Sequence, residues 1–115
     1  MRAEIKGCFC TDRRDFETWQ PDHPEDVYLG LELSIGQIGR EGADLFQLVI
    51  TTPQAIQGRP ERRRCKLLVV EQYSWPKIKA TLEQWVGECD RHTWEEIVDC
   101  LRHRFDWEYE GMAAE

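Results

Sequence analysis

Two pairs in this chain have the spacing of metal ligands, Cys8-x-Cys10 and Cys89-x-x-His92. Protein zinc sites use four such groups, commonly as two close pairs. Residues two apart on a strand share a face, so a site using Cys8 and Cys10 is geometrically feasible. The pairs stand about eighty residues apart, however, and free cysteines usually pack as small hydrophobes. No metal and no cofactor is therefore assigned. The glycines of "GQIGREG", at 36, 39 and 42, are spaced like a phosphate loop, but no Lys-Ser/Thr follows and no helix opens behind them. His23, His92 and His103 lie in no nucleophile motif. The many carboxylates fall in loops and solvent-facing strand positions rather than converging as a hydrolase pair. No catalytic residue emerges, and the chain reads as a non-enzyme.

What remains is the stretch "TDRRDFETWQPDHPED", residues 11–26, with six carboxylates against two arginines. It also holds two prolines and Trp19. Two readings of Trp19 stand open: a lid on the edge of the core, or an amphipathic anchor ringed by acids, the composition of an interface hot spot. The candidate partner-binding residues are Asp15, Glu17, Trp19, Asp22, Glu25 and Asp26, with Glu108 and Glu110 near the far end of the chain.

Bulk properties narrow the class. A chain of 115 residues, 41% hydrophobic and 32% charged, suits one globular domain over 1–115 with its own core. The five cysteines are an odd number, which argues against a disulfide framework. No apolar run reaches the roughly 18 residues of a membrane span, and the N-terminus has no apolar signal core. A cytoplasmic protein with no membrane partner is expected. The formal net charge of −7 disfavours direct nucleic-acid binding and favours a basic protein partner. "RPERRRCK", with five Arg/Lys, lacks interleaved aromatics and reads as a solvated loop.

The elements that position these residues follow from periodicity. Residues 2–9 alternate, with Ala3, Ile5, Gly7 and Phe9 on one face and Glu4, Lys6 and Cys8 on the other. "VYLGLELSI", 27–35, alternates more clearly, and the glycines after it predict a hairpin into "ADLFQLVITT". Pro53 stops that strand and can open one helical turn. "CKLLVVEQY" reads as a fourth strand. "SWPKIKATLEQWVGEC" reads as a helix capped by Ser74, with Ile78, Leu82, Trp85, Val86 and Cys89 on one apolar stripe. Thr93 and Glu96 have capping-box spacing for a second helix. "FDWEYE" alternates as a short last strand. Trp85, Trp94 and the trio Phe105, Trp107 and Tyr109 are expected to pack. The pattern predicts an α+β fold: an antiparallel sheet of about five strands with two helices from the C-terminal half on one face.

Over about ninety residues, ordered features resemble the immunity protein 8 family. They are the glycine hairpin "IGQIGREGADLF", the strand-ending "TTP" and the "TWEE" helix start. Trp19 and the "PDHPED" spacing also fit, whereas the arginine loop at 59–64 is less typical. The resemblance implies a small cytosolic protein of bacterial polymorphic toxin systems, including contact-dependent inhibition. Such a protein would bind and neutralise a cognate toxin encoded beside it, for which a basic nuclease domain is a fitting partner. It supplies no binding residues, so the acidic set above stands on physical grounds alone. The reading from another class is a small-ligand or metal sensor using Cys8, Cys10 and the open sheet face.

Overall fold

Strand β2 (Tyr28–Gln37) is where the alternation is cleanest, and the core is built on it. The computed structural model describes residues 1–10, 12–59 and 65–109. Leu29, Leu31, Leu33 and Ile35 are all at most 4% exposed, and the intervening side chains face the other way. β2 pairs antiparallel with β1 (Ala3–Cys10) and with β3 (Asp44–Thr51). In the β2–β3 hairpin Gly39 and Gly42 take φ of +82° and +92°, a region L side chains avoid. A Cβ on Gly36 would lie 2.4 Å from the Gly42 carbonyl oxygen, so glycine is required there by close approach.

Helix α1 (Pro53–Gln57) is the single turn that Pro53 permits. Strand β4 (Leu67–Val69) follows. It is shorter than the expected 65–73 and runs parallel to β3, pairing Val49 with Leu67 and Thr51 with Val69. The sheet is therefore mixed rather than wholly antiparallel. Parallel pairing needs a long crossover connection, and residues 52–66 separate β3 from β4. Strand β5 (Asp106–Trp107) pairs antiparallel with the other end of β3. The five strands run β1-β2-β3-β4, with β5 beside β3.

Helix α2 (Trp75–Gly87) buries Ile78, Leu82 and Val86 and packs against β1. Ser74 is its N-cap residue, without a side-chain capping bond. Helix α3 (Trp94–Leu101) starts as its sequence requires, with the Thr93 hydroxyl accepting from the Glu96 N–H at 3.1 Å. Its Ile97, Val98 and Leu101 are buried. They join the β2 and β3 side chains and Phe105 in one hydrophobic cluster, giving the expected α+β class. Trp94 and Trp107 are half-buried, and both indole N–H groups donate to Asp44, at 3.3 and 3.2 Å. One carboxylate thus ties α3 and β5 to the start of β3, and hydrogen bonds to a charged acceptor contribute about 1.5–3 kcal/mol each.

Two expectations are corrected. Cys89 and Cys100 form a disulfide across the α2–α3 turn, with Cα atoms 5.7 Å apart. An odd count argues against a full framework but leaves room for one local bridge, and this separation suits it. The second correction concerns β1. Its register with β2 shifts between Ile5 and Gly7, so that Ile5 pairs with Ile35 while Gly7 pairs with Ser34 and Cys8 with Leu33. Lys6 is the extra residue of a β-bulge, and the alternation inverts beyond it. Cys8 and Cys10 join the helix-covered face, and Phe9, expected to share a face with Ala3 and Ile5, is 48% exposed on the other.

Candidate functional site

The segment after β1 has no regular structure, yet it is fastened at several points. Phe16 enters the core, 3% exposed, a burial that stabilises by about 2–3 kcal/mol. Its ring meets Trp75 edge-on at 4.9 Å. Tyr73 supplies two further points. Its hydroxyl donates to the Phe16 carbonyl, and its backbone N–H donates to the Pro24 carbonyl at 2.9 Å. The last point is the "TTP" turn: the Val27 N–H donates to the Thr52 hydroxyl at 3.1 Å, and the Thr52 N–H donates to the Val27 carbonyl at 3.0 Å. Burial pushes the Tyr73 phenol up to about 12, so it remains a neutral donor at ordinary pH.

Trp19 lies across Tyr73, with ring centroids 5.1 Å apart. The Arg13 guanidinium covers its outer face at 4.2 Å. Arg13 also grips Asp15 through two bonds, of 3.1 and 3.2 Å, which hold the Asp15 carboxyl below its ordinary range. Trp19 is therefore half-buried between a phenol and a guanidinium, the geometry of a lid on the core. Glu17, Asp22, Glu25 and Asp26 all face solvent. Among the described residues the segment's ion pair is Arg13–Asp15, and the His23 imidazole lies 3.7 Å from the Glu25 carboxylate. A shallow cleft of about 600 Å³ runs from Glu17 and Trp19 over Tyr73 to Trp75 and Pro76.

The fold thus brings Asp15, Glu17, Trp19, Asp22, Glu25 and Asp26 together on one fastened segment. It does not bring Glu108 to them. Glu108 donates its N–H to Leu45 at the start of β3, whereas the segment joins the sheet where Tyr28 pairs with Thr51. Those are opposite ends of the sheet, about 20 Å apart at strand rise. Glu110 lies outside the described residues, as does most of the arginine loop, residues 60–64. Tyr73, which organises the segment, gave no sequence signal beyond ending an apolar run.

The cysteine readings also take positions. Cys89 is in the disulfide and is no metal ligand beside His92. Cys10 is buried, and burial pushes the Cys8 thiol up to about 12, so Cys8 is a neutral thiol rather than a nucleophile. Among the described residues no group of three His, Cys, Asp or Glu side chains could hold a metal ion. No described helix is long and apolar enough to cross a membrane.

The family model of immunity protein 8 matches residues 3–112, nearly all of the 115. The chain belongs to the immunity protein 8 family. Comparisons with curated proteins and with solved structures return no match. This immunity protein is thus assigned by its family to a class that binds a cognate toxin and is generally non-enzymatic.

Proposed function

We propose that this immunity protein neutralises a toxin domain encoded beside it by covering the toxin's active site with its acidic segment. The observation that carries the reading is the segment's combination of charge and order. Residues 12–26 hold six carboxylates and two arginines, a net −4 of the chain's −7. Several anchoring contacts hold them in place before any partner arrives. A preordered charged surface loses little entropy on binding and steers an oppositely charged partner. The partner is then a basic protein, with a nuclease domain fitting best because its own substrate is polyanionic. Inhibition is steric, uses no cofactor and needs no chemistry from this chain, which acts as one domain in the cytoplasm of the producing cell.

The test is a binding titration with the toxin domain at low and high salt. Nanomolar affinity that weakens strongly with salt is expected, because exposed charges are screened beyond a Debye length of about 8–10 Å. Tight binding indifferent to salt would leave the immunity role standing and remove the electrostatic mechanism.

A further inference from the structure

The bulge in β1 has a second effect. Regular alternation would have turned Phe9 beneath α2; the inverted register puts the small Cys8 there instead. Between β1 and α2 this leaves a cavity of about 340 Å³. Its floor is apolar, built from Ile5, Cys8, Leu33, Leu82 and Val86, with Trp75 at one end. Its lining also includes three carboxylates, of Glu4, Glu17 and Glu83, and one ammonium, of Lys79. All four of these residues are exposed, and their sum is −2 at the mouth. Glu17 and Trp75 also line the cleft of the acidic segment, so the two depressions share a wall.

We propose that this cavity receives an arginine side chain of the cognate toxin. An arginine matches the place in each of its parts. The aliphatic stem buries on the apolar floor. The guanidinium stacks on Trp75 and pairs with the carboxylates at the mouth. The cavity volume lies within the range of specific ligand sites, and an aromatic wall beside a filled pocket is the make-up of a hot spot. Strand addition to the outer edge of β1 is disfavoured by the bulge and by the charged Glu4 and Lys6 on it, so a side chain rather than a strand is the fitting occupant. Because the Cys8 thiol stays neutral, the cavity offers binding without a nucleophile.

This inference rests on the toxin-binding reading, and its test separates the two. Toxin affinity would be measured for the wild type, for the double variant Glu4→Lys with Glu83→Lys, whose carboxylates line the cavity but lie outside the acidic segment, and for Cys8→Phe, which restores an aromatic ring beneath α2. Glu95→Lys with Asp99→Lys on α3, two exposed sites away from the cavity, makes the same change in total charge and serves as the control. At least tenfold weaker binding by the double cavity variant and by Cys8→Phe, beyond any effect of that control, is the expected result. The exposed charge reversals leave thermal unfolding unchanged, so they remain informative even if Cys8→Phe folds poorly. Cavity variants that bind like the control would overturn the cavity assignment and keep the immunity role. Binding lost only in Cys8→Phe, with its fold intact, would assign the cavity to a wholly apolar side chain and overturn the arginine. A wild type that binds no toxin would overturn both readings.

Discussion

Two irregular connections flank α2, and they are held by opposite means. Residues 12–26, which pack on the N-terminal end of α2, are tied by side chains distant in sequence. Tyr73 reaches back to Phe16 and Pro24, and Thr52 reaches back to Val27. Residues 88–93, which leave its C-terminal end, are held by a covalent bridge between near neighbours, Cys89 and Cys100, at a separation of 11. The first exists only when the whole sheet and α2 are assembled. The second constrains a short loop whether or not the rest is folded. In the proposed function the acidic segment presents the binding surface, ordered by the complete fold, while the second turn aligns α2 with α3.

The largest effect should come from removing the centre of the first connection. Tyr73→Ala is expected to cost about 3–5 kcal/mol, by analogy with other buried aromatic truncations. Limited proteolysis should then cut within 12–26 before it cuts within 88–93. Cleavage at both sites together would show that the two connections unfold as one unit and break the contrast. Loss of the bridge should come next. Breaking Cys89–Cys100 with reductant should cost about 3 kcal/mol in the chain-entropy account of a loop this short. Amide exchange should rise in α3 and leave 12–26 protected; a cost below about 1 kcal/mol would mean that Ile97, Val98 and Leu101 suffice to seat α3.

The smallest effect, and the most selective, is alkaline. Tyr73 has its phenol raised from 10.0 to about 12 by burial, so the fold favours the neutral form. Its contribution is fully present below pH 10 and is lost as pH rises through 12. The Cys8 thiol, raised from 9.0 to about 12, acts in the same direction. Stability should therefore fall between pH 9 and 12, with 12–26 loosening first, and Tyr73→Phe should flatten the part of that fall that begins near pH 10. An unchanged alkaline profile in Tyr73→Phe would show that ionisation of Tyr73 is not linked to unfolding.

Much of the architecture was legible because its signals are local. The alternation of Leu29 to Ile35, the positive-φ glycines 39 and 42, and the Thr93–Glu96 cap each act within a few residues. The acidic segment was legible as composition, but its shape was not, because Tyr73 and Thr52 lie far away in sequence. Trp19 illustrates the limit. Its sequence left two readings open, a lid on the core or an anchor ringed by acids, and the fold lays it between Tyr73 and Arg13. Membership of the immunity protein 8 family, seen first in the hairpin, "TTP" and "TWEE", is shown by the match over 3–112.

The sequence by itself determined the helices, the central hairpin, the acidic balance and the family, since all are written in neighbouring residue types. Only the tertiary structure decided the parallel β4, the disulfide and the bulge at Lys6. Each of these depends on which residues meet across the fold, and the bulge on pairing with β2 above all. A shift of one residue there sends Phe9 to solvent and Cys8 beneath α2. The physical reason is that a strand's side chains alternate with period two, so a single extra residue reassigns every face beyond it.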